Sequence, residues 1–112
     1  MARIYLLHGL TLLERSGEIG KFLECVLFLV WLGIKSESIA RQMCPGMLSL
    51  LVYISKTKSD FGLQWIDWVD DAYLAILGTV NTNLDDQQKR QARREGYQLE
   101  RQTAAMLARR IL

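Results

Sequence analysis

The residues able to do chemistry are few and scattered. His8 is the single histidine and stands among leucines in "YLLHGLTLL". General acid–base or nucleophilic work needs a partner within hydrogen-bonding reach, and spacing shows no nucleophile–base pair. A lone histidine in an apolar helix is the plainer reading. Asp67, Asp70 and Asp71 recur at i, i+3 and i+4, which puts three carboxylates on one helical turn. Carboxylates in that number can hold a hard cation. No second ligand set accompanies them, so the pattern reads as a solvated acidic face or a surface for a basic partner. The two cysteines, Cys25 and Cys44, fit neither a zinc site nor a disulfide framework. Both are expected reduced, buried or half-buried, and without metal. Gly17 and Gly20 lack the strand that a phosphate-binding loop follows. The sequence therefore points away from an enzyme and implies no cofactor and no small-molecule substrate.

The basic and aromatic residues carry more. "KRQARR" places Lys89, Arg90, Arg93 and Arg94 at i, i+1, i+4 and i+5, one stripe of a helix. Charge is uneven along the chain. Residues 1–83 hold seven Lys/Arg against eight Asp/Glu, and residues 84–112 hold seven against four. A basic terminal segment is a usual place for phosphate contact, and also a usual solvated helix face. Arg41, Lys56 and Lys58 are the next candidates for nucleic acid. Trp31, Trp65 and Trp68 are core residues or interface anchors. Trp65 and Trp68, three apart, are expected to face one way, and the acids around Trp68 favour partial exposure. Trp65, Trp68, Asp70 and Asp71 form the candidate protein interface.

The elements that must position these residues are helices. The chain has 112 residues, 50% of them apolar and 23% charged, with one proline. That suits a single globular domain spanning residues 1–112, of the all-α class. Its apolar share is high for its length, which implies apolar surface covered by another chain, a homodimer being expected; the alternative is a well-packed monomer. We read a bundle of about five helices. The first covers residues 2–15. "RSGEIG" interrupts it, with Ser16 a candidate N-cap. The second covers 18–32, is apolar nearly all round after Glu24, and is expected at the centre, ended by Gly33. A short helix, 36–44, is expected to stop or restart at Pro45-Gly46. "MLSLLVYI" is a helix by context, with a strand as the competing reading. "SKTKSDFG" reads as a loop. Residues 63–80 form an amphipathic helix with Leu63, Ile66, Tyr73, Ile76/Leu77 and Val80 on one side and Asp67, Asp70 and Asp71 towards the other. After "NTN", where Asn83 can cap, a long basic helix covers 84–110. It has few large apolar residues before Leu99, so its first half is expected to project or to lie on a partner. The N-terminus is too polar for a signal peptide, and the longest uncharged apolar run, residues 25–34, is too short to span a bilayer. A cytoplasmic protein without membrane contact is expected.

"WLGIKSESIARQMCPG" (residues 31–46) opens as many helix-turn-helix domains do. Gly33 permits a sharp helix corner and Ala40 a close crossing, the loose pattern of response-regulator DNA-binding domains. The segment that follows opposes a free-standing reader. A recognition helix must show polar side chains to base edges and phosphates, whereas Met47, Leu48, Leu50, Leu51, Val52 and Ile54 crowd this one. The combination is a buried helix after a helix-turn-helix-like corner.

That combination resembles the FlhD family, small all-helical subunits of the flagellar master regulator with relatives on mobile elements. The resemblance rests on Ile4-Tyr5 and Leu12-Leu13 in a leucine-rich first helix, on the turn "LGI" (32–34), on "ESIARQM" (37–43), and on "LDDQQ" (84–88), similar to the family's "DDLQQ". The family's aromatic–arginine segment has no counterpart, and "FGLQW" (61–65) stands in its place. The resemblance implies a helical dimer that joins a zinc-binding partner subunit, the zinc belonging to the partner. It further implies a complex that binds promoter DNA and activates transcription. The alternative is a small protein-binding adaptor or antagonist, phage-encoded or chaperone-like, that never touches DNA.

Overall fold

A computed structural model describes the backbone of residues 2–35 and 37–111 and the side chains of residues 4–35 and 43–110. Among the described residues there are six helices and no strand: α1 (Ala2–Ser16), α2 (Ile19–Lys35), α3 (Glu37–Asp60), α4 (Asp67–Thr82), α5 (Asp86–Gln98) and α6 (Arg101–Ile111). The all-α expectation holds. Several boundaries differ, each for a physical reason.

α1 ends where Gly17 takes a left-handed φ of 79°. Ser16 closes α1 rather than opening α2, although its hydroxyl still receives the Glu18 amide at 3.4 Å. α2 is central, as its all-round apolar character demands: Phe22, Leu23, Val26, Leu29 and Val30 are fully buried. Gly33 does not end it. That glycine is buried inside α2, and the helix runs on to Lys35, a cation favoured in the last turn. Gly33 is therefore not where α2 gives way to α3.

The largest departure is α3. Pro45-Gly46 does not break it, and the expected short helix, the "MLSLLVYI" segment and most of the expected "SKTKSDFG" loop are one helix of 24 residues. An interior proline costs about 3 kcal/mol. Met47, Leu48, Leu50, Leu51 and Ile54 are each at most 1% exposed, and burial of one such side chain is worth about 1.5–3 kcal/mol. Tertiary burial outweighs the local break. α3 ends in a Schellman arrangement: Gly62 has φ 63°, its N–H meets the Ser59 carbonyl, and the Leu63 N–H reaches the Lys58 carbonyl at 2.9 Å.

Residues 63–66 consequently lie outside α4, which was expected to start at Leu63. α4 opens with Asp67 and Asp70 in its first turn, where the helix dipole favours carboxylates. Its buried side is Val69, Ile76 and Val80, whereas Ile66, assigned to that side from sequence, is exposed. Asn83 does not cap α5. Asp85 does, in a capping box whose carboxylate receives the Gln88 amide at 2.7 Å while the Gln88 side chain receives the Asp85 amide at 3.0 Å.

The single long terminal helix is instead two. Leu99 is extended and Thr103 Oγ1 receives the Glu100 amide, so α6 turns back. Ala104, Ala105 and Ala108 enter the core, and Arg109 ties α6 to α1 through Glu14 at 2.8 Å. α5 does not project. It lies on α3 through Ala92 and Gly96, both buried. α3 touches α2, α4, α5 and α6, and one hydrophobic core draws residues from all six helices.

Candidate nucleic-acid interface and aromatic hollow

α5 has small residues on its inner side and long polar ones outside, and this division fixes what it offers to a ligand. Gln87, Arg90, Gln91, Arg94 and Gln98 recur at helical spacing, share one face and are all exposed. One carboxylate, Glu95, is exposed beside them and accepts from the Gln91 side-chain amide at 3.4 Å. Each is long enough to reach away from the bundle. Arginine and glutamine are donors suited to phosphate oxygens and to purine edges in the major groove.

The four cations of "KRQARR" split into two rows, because adjacent helical residues lie about 100° apart. Arg90 and Arg94 are on the outward face. Lys89 is half-buried, and Arg93 lines a cleft of about 490 Å³ between α3, α4 and α5, together with Lys56, Tyr73 and Tyr97. Lys56 donates to the Tyr97 carbonyl at 2.9 Å, serving the C-terminal end of α5. Lys58 is held elsewhere, 2.7 Å from Asp70 and with its ammonium 4.7 Å from the Trp65 ring centre. It does not join the α5 face. The side chain of Arg41 lies outside the described residues.

Trp65 and Trp68 do not face one way, because only Trp68 is in the helix. Trp65, in the segment before α4, is half-buried and meets Tyr73 edge-on with ring centres 6.2 Å apart. Trp68 is 58% exposed and pairs with Phe28 at 6.2 Å. With Leu27, Trp31, Ala72 and Ile76 these two rings line an apolar hollow of about 220 Å³ between α2 and α4. Asp70 is engaged by Lys58, while Asp71 is exposed. Sequence reasoning missed Phe28 and the glutamines of α5. The i, i+4 and i+11 spacing of Gln87, Gln91 and Gln98 was a usable signal, and Phe28 had none beyond its place in an apolar run.

His8 is exposed on α1, and Cys25 and Cys44 are buried. Burial pushes the Cys25 thiol up to about 11, and its Sγ contacts the Leu6 carbonyl at 3.2 Å. Among the described residues no three His, Cys, Asp or Glu side chains gather as metal ligands, and no helix is long and apolar enough to cross a membrane. No protein-family model matches the chain, and neither the curated proteins nor the solved structures give a match.

Proposed function

We propose that the protein is a transcription-regulatory subunit that acts as an oligomer and meets DNA through the outward face of α5. The observation that carries this is the exposed row Gln87, Arg90, Gln91, Arg94 and Gln98, with two cations against the single carboxylate of Glu95, on a helix whose other side is anchored to α3. In this reading Arg90 and Arg94 bind phosphates, and the glutamines stand where base edges would be. The helix after the corner, α3, serves as core: its residues 47–54 are buried but for Val52. The resemblance to the FlhD family supports the same function and adds a zinc-binding partner subunit. Self-association would use α1, where Ile4, Tyr5 and Leu12 leave apolar surface exposed along one side with His8 among them.

The test is a salt titration of the full chain on a labelled mixed-sequence duplex. The expected result is binding whose log-affinity falls linearly with log salt, and a slope shallower by about 0.9 for each phosphate contact removed in Arg90→Gln/Arg94→Gln. Unchanged affinity and slope in that double variant refute the DNA role of α5 and leave the protein-binding adaptor as the leading function.

A further inference from the structure

The hollow between α2 and α4 lies apart from α5 and shares no residue with its outward face. Its walls are Leu27, Phe28 and Trp31 from α2 and Trp68, Ala72 and Ile76 from α4. Trp31 is 39% exposed and Trp68 58%. Two partly exposed indoles beside a concave apolar floor form a concentration of the residues that dominate binding energy in protein interfaces.

The charges around it narrow the occupant. Asp67 and Asp71 flank Trp68 on α4 and are exposed, and Glu24 stands one turn before Phe28 on α2. None of the three makes an ion pair among the described residues. The nearby cation Lys35 sits over the Trp31 ring, 4.6 Å from its centre. The rim is therefore acidic and the floor apolar, which complements a segment with one large apolar anchor and flanking Lys or Arg. No strand edge exists among the described residues to template an added strand. A trough between two helices instead takes anchors spaced along a third.

We propose that this hollow docks a basic amphipathic helix of a partner protein, with an apolar side chain seated between Trp31 and Trp68. A second copy of the chain is the weaker occupant. One copy placing its own basic helix here must either receive its partner's helix in a two-fold exchange or leave its own hollow open for the next, a head-to-tail contact that grows unless the rotation closes. The proposal stands without the DNA reading of α5.

The experiment uses the full chain and two synthetic helical peptides. One carries Leu at i and i+4 among Lys residues, and its twin carries Glu in place of Lys. Binding is read from tryptophan fluorescence and, independently, from anisotropy of the labelled peptide. The Lys peptide is expected to bind at least about tenfold more tightly than its twin. Trp68→Ala is expected to weaken it by at least about tenfold, and Asp67→Asn/Asp71→Asn to weaken it and flatten its salt dependence. Trp68 is exposed, so its truncation leaves the core intact, and Trp31→Ala probes the opposite wall, from α2. Failure of both peptides to bind, equal binding of the two, or undiminished binding in Trp68→Ala and Trp31→Ala overturns the proposal. Self-association of the free chain that Trp68→Ala abolishes assigns the hollow to a second copy and also overturns it. Duplex affinity measured on the same variants keeps the two readings separate, since Trp68→Ala is expected to retain it.

Discussion

Gly96 of α5 lies so close to Ser49 of α3 that a Cβ added to the glycine would stand 2.6 Å from the Ser49 carbonyl oxygen. The same Cβ would meet Val52 at 2.7 Å. One turn earlier on α5, the Ala92 carbonyl receives the Ser49 hydroxyl at 2.8 Å. The seam joining α5 to α3 is thus made of closeness and one buried hydrogen bond, not of large apolar side chains. Gly96→Ala is expected to destabilise the fold by roughly 1–3 kcal/mol, because backbone and a β-branched side chain cannot yield as a flexible chain end would. Gly78→Ala on α4 meets nothing within 4 Å, and there the better helix propensity of alanine is expected to stabilise by about 0.5–1 kcal/mol. Opposite shifts of the two thermal midpoints check the seam. A neutral Gly96→Ala contradicts it.

The seam also marks what the sequence could not reveal. Helical periodicity identified α1, α2 and α4 to within a few residues, because each carries large apolar residues on a recurring side. α5 carries Ala92 and Gly96 instead, and small residues give no such signal, so its contact with α3 went unread. Pro45 misled in the other direction. Its local effect is real, but the burial of Met47 to Ile54, which outweighs it, depends on helices distant in sequence. The split at Leu99 has no proline to announce it, and Gly96 stands inside the last turn of α5 and not after its end. For the candidate sites, the cations of α5 and the partial exposure of Trp68 were legible from charge and neighbours. The pairing of Trp68 with Phe28 was not, because nothing local brings α2 beside α4.

The capping box is expected to set how firmly α5 holds its outward face. Asp85→Ala removes the acceptor of the Gln88 amide and should cost about 1 kcal/mol, whereas Asp85→Asn keeps most of the cap. Little apolar surface anchors α5, so the loss should appear first as faster amide hydrogen exchange along residues 86–98. Equal exchange in Asp85→Ala and the parent shows that the seam alone sets the local stability.

Cys25 is 7% exposed, and burial raises its thiol from 9.0 to about 11. At pH 8 its thiolate fraction is then about a hundredfold below that of a free thiol, since each pKa unit is a factor of ten. Modification by a disulfide reagent is expected to be at least that much slower in the folded than in the denatured chain. The linkage runs the same way. Below pH 9 both states keep the proton and stability is unaffected. Between pH 9 and 11 the unfolded thiol ionises while the folded one does not, so stability falls as pH rises, by up to about 3 kcal/mol. Burial also raises Cys44, Tyr53 and Tyr73, which adds to the alkaline loss. Cys25→Ala should flatten the decline between pH 9 and 11, and an unaltered decline removes Cys25 from its cause.

The two rows of α5 cations predict two different phenotypes on DNA. Arg90 and Arg94 share the exposed face with the glutamines, while Arg93 turns toward the cleft that holds Lys56 and Tyr97. If α5 lies along a duplex by its outward face, Arg90→Gln/Arg94→Gln should weaken binding to every sequence by similar factors, because phosphate contacts position without specifying. Arg93→Gln should change affinity and salt slope far less. Gln87→Ala/Gln91→Ala tests the base-edge role separately. It should leave the salt slope unchanged and compress the spread of affinities among different duplexes, each lost base contact being worth about 1–3 kcal/mol of discrimination. The measurement is the salt slope of each variant on several duplexes under one set of conditions. An equal effect of Arg93→Gln and Arg90→Gln/Arg94→Gln would mean that both rows meet the ligand, and the outward face would lose its claim to be the binding surface.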